Sequence, residues 1–287
     1  MRKKRKLSVR IGLRVVAVLV IALPFLAAGC HVMMPGEIRD ASKAAREFSA
    51  RHPDAFSTRH GIHAAVTGSG DRGTIFLVHG SPGDWKAFGP YLASEALTED
   101  YRIVAFDRPG YGASSPGETM RSMADQGDRL ALRAEEFSGP RIWLGHSFGA
   151  PIVARVAVDH PQLVDGLILS ASAMDPDLEQ PRWFHHLGGT RIGRAVLPAT
   201  WDVTNQECLA FTGGLEILAG RLHEIRAPVI LMHAKNDSLS RFAHLAWTEK
   251  SLRHAPVETV VFEKGDHFIL WNRVEETIAA IRRLGGK

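Results

Sequence analysis

Cysteine is nearly absent from this chain of 287 residues, which holds only Cys30 and Cys208. Two cysteines so far apart build no disulfide framework and offer no thiolate metal cluster. Acid is missing from one end: no Asp or Glu precedes Glu37, while Arg2, Lys3, Lys4, Arg5, Lys6, Arg10 and Arg14 crowd the first positions. The formal net charge of +4 is therefore local to that end. Beyond residue 29 the chain carries 28 basic against 31 acidic residues, a mildly acidic body that argues against nucleic acid as a partner. Long apolar runs are scarce too. The longest, Val15 to Ala28, has 14 residues, below the roughly 20 that a membrane-spanning helix requires. Tyrosine occurs only as Tyr91, Tyr101 and Tyr111, and there is no internal repeat or low-complexity tract. What remains, 45% hydrophobic and 23% charged, is the composition of an ordinary globular protein.

A basic cluster, an apolar stretch and small residues ending in Gly29-Cys30 have the tripartite build of a secretory signal. The junction Leu26-Ala27-Ala28-Gly29-Cys30 resembles a bacterial lipoprotein processing site, which would make Cys30 the lipidated first residue. It departs from that pattern at Ala27, since such sites carry Leu three places before the cysteine. Residues 1–29 are thus expected to be a signal peptide and the mature protein to be membrane-anchored at the bacterial cell envelope. An uncleaved N-terminal anchor and simple secretion are the alternatives. Residues 30–56 are polar, with a short helix-compatible run from Asp40 to Ser49, and read as a tether. Cys208 reads as a small buried apolar residue.

From Gly61 onward, apolar strands and helical stretches alternate. Strands are expected at Gly61–Thr67, Thr74–Val78, Arg102–Phe106, Arg141–Gly145, Leu167–Ser170, Val229–His233 and Thr259–Glu263. Helices are expected near Ser122–Phe137, Phe148–Asp159, Leu239–Leu252 and Val274–Leu284. Such alternation predicts an α/β fold, a mainly parallel, doubly wound sheet with helices on both faces. It breaks between Ala173 and Ala227, where Pro176, Pro181 and Pro198 punctuate two expected helices. Residues 57–172 and 228–287 are therefore expected to form the core and 173–227 an insertion.

Gly145-His146-Ser147-Phe148-Gly149 fits G-x-S-x-G between a strand and a helix, a turn that lifts a serine nucleophile into the open. Glycine at both flanks has a steric reason, because strand and helix approach too closely there for side chains. His79-Gly80-Ser81-Pro82-Gly83 follows a strand, where a second oxyanion donor is placed. The backbone N–H groups of Ser81 and Phe148 are the expected donors. With Phe106-Asp107-Arg108-Pro109-Gly110-Tyr111-Gly112-Ala113-Ser114 added, the chain resembles the α/β-hydrolase superfamily over about residues 57–287. That resemblance implies a Ser-acid-His order. It identifies His267, just after the last strand, as the base and Asp237, just after Val229–His233, as the acid, with Asp175 as the alternative. Asp107 and Arg108 are expected to shape the loop beside the site. The inserted segment is then a lid, whose Trp183, Phe184 and Trp201 either wall a substrate pocket or form its own small core.

A serine nucleophile argues against relatives that use aspartate for dehalogenation or epoxide opening, and the absence of tyrosine from residues 173–227 agrees. The expected activity is carboxylic ester hydrolysis through an acyl-enzyme, on a small apolar acyl or aromatic substrate, with no cofactor and no metal. Carbon–carbon bond hydrolysis, aminopeptidase-like cleavage and perhydrolysis share the same triad. A non-catalytic, lipid-anchored binding protein is the reading from another class.

Overall fold

The computed structural model describes residues 36–286; the expected signal peptide, Cys30 and the start of the tether lie outside the described residues. Among the described residues there are eight strands: β1 (Phe56–Arg59), β2 (Ile62–Thr67), β3 (Thr74–Val78), β4 (Arg102–Phe106), β5 (Arg141–His146), β6 (Gly166–Ser170), β7 (Val229–Ala234) and β8 (Val257–Phe262). They form one sheet in the order β1-β2-β4-β3-β5-β6-β7-β8. The pairs β1/β2 and β2/β4 are antiparallel and the rest are parallel, as expected from the alternation.

β3, β6 and β7 are buried along their whole length, which explains their uninterrupted apolar runs: helices cover both faces of a parallel sheet. The pleat sends Phe76, Val78, Phe106 and Trp143 into one layer, beneath the helices Met123–Ala134 and Gly149–Asp159. It sends Ile75, Leu77, Ile103 and Leu144 into the other, beneath Val274–Leu284. Parallel strands end on a common edge, so the loops after β3, β4, β5, β7 and β8 converge there.

The tether expectation needs correction for its described part. A helix spans Gly36–Arg51 and buries Ala41, Ala45 and Phe48 against the second layer. It crosses Gly89 so closely that a Cβ there would lie 2.5 Å from the Ala41 carbonyl oxygen. Three apolar residues at helical spacing make a stripe too narrow to lift the segment's average above polar. The sheet accordingly starts one strand earlier than expected, at Phe56. Between β6 and β7 stand three helices rather than two: Trp183–Gly188, Arg191–Val196 and Ala199–Ala219.

Candidate active site

β5 ends at His146 and the next helix begins at Gly149, so Ser147 and Phe148 alone turn strand into helix. Ser147 takes a φ of +52°, a left-handed conformation that costs a non-glycine residue on the order of 1–3 kcal/mol. Its amide donates to the Ser170 carbonyl at 2.9 Å and its own carbonyl accepts from Ala150 at 3.0 Å. The flanking glycines are sterically required. A Cβ at Gly145 would lie 2.5 Å from the Gly149 oxygen, and one at Gly149 would lie 2.4 Å from the Val78 oxygen. The loop after β3 is equally close, since a Cβ on Gly80 would sit 3.0 Å from that of Ser147.

Asp237 and His267 come to the same edge from the loops after β7 and β8. His267 Nδ1 lies 2.8 Å from Asp237 Oδ2, while the amides of Leu239 and Ser240 donate to Oδ1 at 2.9 and 2.8 Å. An ionised carboxylate only accepts, so Nδ1 donates to it, and in the neutral ring Nε2 is the nitrogen with the lone pair. Buried His233 donates from Nε2 to the Ser240 carbonyl at 2.9 Å and stands 3.4 Å from Asp237 Oδ2. Burial would raise the Asp237 carboxyl. The hydrogen bonds from His233 and His267, the charge of His267 and the Ser240 amide outweigh it and hold the group well below the usual carboxylate range.

His146 orients the other side of the ring loop by donating from Nε2 to the His267 carbonyl at 3.0 Å. Burial, and after it the neighbouring His267, hold the His146 pKa at about 3, so it serves as a neutral donor. Asp175, the alternative acid, is engaged elsewhere. Its carboxylate accepts the Asp177 amide at 3.0 Å and its own amide donates to His244 Nδ1 at 3.0 Å.

Ser81 sits in the loop after β3 with its hydroxyl 2.6 Å from Arg108 Nη2 and 2.9 Å from the Tyr111 hydroxyl. Asp107 braces this region by accepting the amides of Trp85 and Ala113, both at 2.8 Å. The Phe148 ring stacks on Phe211 of the inserted helix Ala199–Ala219 with centroids 4.1 Å apart. The inserted aromatics are arranged less as a pocket wall than as the segment's own core. Trp183 is 62% exposed, whereas Phe184 packs with Leu197 and Trp201. What this segment turns towards the body is the i, i+4 stripe Val203, Glu207, Phe211 and Leu215. Cys208 is half-buried rather than buried, and desolvation followed by the Glu207 charge pushes its thiol up to about 12.

Sequence reasoning passed over His233, His146 and Glu207. The signal for His233 was a polar residue inside the apolar run Val229–Ala234, and for Glu207 a charge in the apolar stripe of a helix.

Residues 75–280 match the model of the alpha/beta hydrolase family, a span that includes the Ser147 turn, Asp237 and His267. A pimeloyl-[acyl-carrier protein] methyl ester esterase from Edwardsiella ictaluri is 35% identical over 109 residues, 37% of this chain and 38% of that protein. The match thus spans well under half the length of the curated relative. Among solved structures, a monoacylglycerol lipase from Paleococcus ferrophilus superposes with a TM-score of 0.63 at 21% identity, covering 78% of this chain and 98% of the other. A bacterial membrane phospholipase A superposes with a TM-score of 0.57 at 20% identity, over 92% of this chain and 96% of the other. At such identities the structural likeness establishes the fold, and the family match carries the assignment. The chain belongs to the alpha/beta hydrolase family.

Proposed function

We propose that the protein is a serine hydrolase that cleaves carboxylic esters of small apolar acyl or aromatic substrates through an acyl-enzyme on Ser147. The observation that carries this reading is the 2.8 Å hydrogen bond between His267 and Asp237, because it selects the imidazole tautomer in which Nε2 is the nitrogen able to accept a proton.

In this reaction Ser147 Oγ attacks the ester carbonyl carbon while His267 Nε2 takes the hydroxyl proton. Asp237 stabilises the imidazolium that results. The carbonyl oxygen becomes an oxyanion, and the N–H groups of Ser81 and Phe148 are proposed to bind it. Collapse of the tetrahedral intermediate breaks the ester C–O bond, and His267 returns its proton to the leaving alkoxide. Water, deprotonated by the same imidazole, then attacks the acyl-enzyme; collapse releases the acid and restores Ser147. The cycle calls on no cofactor. The esterase and lipase names of the similar proteins accord with this chemistry.

From the signal-like residues 1–29 and the Gly29-Cys30 junction we also propose that the protein acts at the bacterial cell envelope, anchored to membrane by a lipidated Cys30 or by an uncleaved residue 1–29 segment. Intact mass of the membrane-extracted protein distinguishes the two.

A fluorophosphonate probe tests the central assignment, since it needs an activated serine together with oxyanion donors. The expected result is one label, on Ser147, with p-nitrophenyl ester hydrolysis and labelling both lost in Ser147→Ala. Labelling that survives Ser147→Ala removes the proposal. A panel of esters of graded chain length, with peptide and vinylogous diketone controls, then separates ester cleavage from amide and carbon–carbon cleavage.

A further inference from the structure

Glu207 and Arg108 form an ion pair whose side chains are both fully buried, one from the inserted helix and the other from the loop after β4. The Glu207 carboxylate accepts from Arg108 Nη1 at 2.6 Å and Nη2 at 3.2 Å, from the Tyr111 hydroxyl at 2.6 Å and from Gln126 Nε2 at 2.9 Å. The Ser81 hydroxyl donates to it at 2.5 Å. Arg108 Nη1 also donates to Gln126 Oε1 at 2.8 Å, and the remaining donors go to the loop after β3. Nε donates to the His79 carbonyl at 2.9 Å and Nη2 to the Gly80 carbonyl at 3.1 Å. The Arg108 amide also donates to His79 Nε2 at 3.0 Å, which leaves His79 Nδ1 to donate to the Gly80 carbonyl at 2.7 Å.

The Gly80 carbonyl and the Ser81 amide belong to one peptide unit. That unit is planar, and the two dipole ends point in opposite directions. Holding the carbonyl on Arg108 and His79 therefore sets the direction of the Ser81 N–H, beside a glycine that itself lies against Ser147. A guanidinium can stay in so dry a place only with a counter-ion, and Glu207 is that counter-ion. It comes from the inserted segment, 99 residues further along the chain than Arg108.

We infer that Glu207 is a positioning residue that acts through Arg108 to aim the Gly80–Ser81 peptide, so that an intact oxyanion hole requires the helix Ala199–Ala219 to be seated. The inference rests on the reading of Ser147 as nucleophile. A pair that served stability alone would have no need to bind two loop carbonyls, and matched apolar residues could replace it without loss.

The test compares wild type, Glu207→Gln and the double variant Arg108→Met/Glu207→Met, which removes both buried charges together and leaves neither unpaired. Fluorophosphonate titration counts reactive serines in each full-length protein, and kcat for p-nitrophenyl butyrate is expressed per titrated serine. The expected result in both variants is a kcat per titrated serine roughly 10- to 100-fold lower, with KM changed by less than about threefold and labelling slowed in parallel. A merely structural pair would reduce the number of titratable serines and leave their turnover unchanged. Turnover per serine within about twofold of wild type overturns the inference, and the double variant decides if Glu207→Gln does not fold. Wild-type labelling that persists in Ser147→Ala instead identifies the nucleophile reading as the failure and takes this inference down with it.

Discussion

His233 lies beside Asp237, its Nε2 3.4 Å from the same carboxylate oxygen that His267 Nδ1 approaches at 2.8 Å. The acid thus has two imidazole partners, one facing the Ser147 edge and one in the fully buried strand β7. His233 also donates to the Ser240 carbonyl, and among the described residues its Nδ1 has no hydrogen-bond partner. Replacement by Phe should remove one of the interactions that hold Asp237 below the ordinary carboxylate range. The contribution of Asp237 to stability should then shrink, so urea midpoints are expected to fall less steeply from pH 5 to pH 2 than in wild type, with kcat at pH 8 reduced by less than about tenfold. An unchanged pH dependence of the midpoints would show that His233 does not act through Asp237.

Asp237→Asn should lower kcat by roughly 10² to 10⁴, because the imidazole loses the partner that selects its tautomer and supports its charge; chymotrypsin, with about 10⁴, supplies the upper figure. Asp175→Asn should stay within a few fold, since its carboxylate braces a local turn. Stability supplies a second readout. The folded-state pKa of Asp237 is depressed, so its contribution is present above the unfolded value near 3.9 and is lost as pH falls towards the folded value. Urea midpoints measured from pH 5 down to pH 2 should therefore fall less steeply in Asp237→Asn than in wild type. Near-full activity in Asp237→Asn, with Asp175→Asn inactive, would reverse the assignment.

Gly149→Ala is expected to fail for lack of space, since its Cβ would lie 2.4 Å from the Val78 oxygen and 2.6 Å from the His79 oxygen. Both are backbone atoms of the strand and loop that carry the proposed Ser81 donor, so relief must displace that loop. A loss of about 1–3 kcal/mol in stability is expected, with turnover reduced beyond what the unfolded fraction explains. Chemical denaturation and active-site titration together check this, and a variant with wild-type stability and turnover would refute it.

Phe48→Ala tests whether the helix Gly36–Arg51 belongs to the body. Phe48 is 2% exposed and its ring meets Trp85 at 6.3 Å and Phe56 at 6.2 Å between centroids. Truncation should cost about 3–5 kcal/mol, the range for a buried phenylalanine, and lower the urea midpoint accordingly. A loss below about 0.5 kcal/mol would return the segment to the status of a surface appendage.

The strands from β2 onward and the Ser147 turn were legible because their causes are local. Buried parallel strands must read as continuous apolar runs, and a turn tight enough to hold Ser147 at a positive φ must have glycine at positions 145 and 149. The positions of His267 and Asp237 followed from chain order within a resembling family, with Asp175 kept as the alternative; the structure adds that the Asp237 carboxylate lies 2.8 Å from His267 Nδ1. Both aspartates follow strands of the same sheet, and nothing within a few residues of either tells which carboxylate faces the imidazole.

The segment before Phe56 was misread because a few buried residues barely alter a polar composition, although Ala41, Ala45 and Phe48 suffice to dock a helix when Gly89 lets the backbones touch. The aromatics of the insertion could not be assigned from sequence either, since Phe184 and Trp201 are equally suited to a pocket wall and to the small cluster they form with Leu197. By itself, then, the sequence determined the strands, the insertion between β6 and β7 and the glycine-flanked serine, each written in short-range spacing. Only the tertiary structure decided that Asp237 meets His267 and that Glu207 neutralises Arg108. The worth of a buried charge depends on which hydrogen-bond donor or opposite charge the fold brings within 3 Å, and that partner lies 30 residues away in one case and 99 in the other.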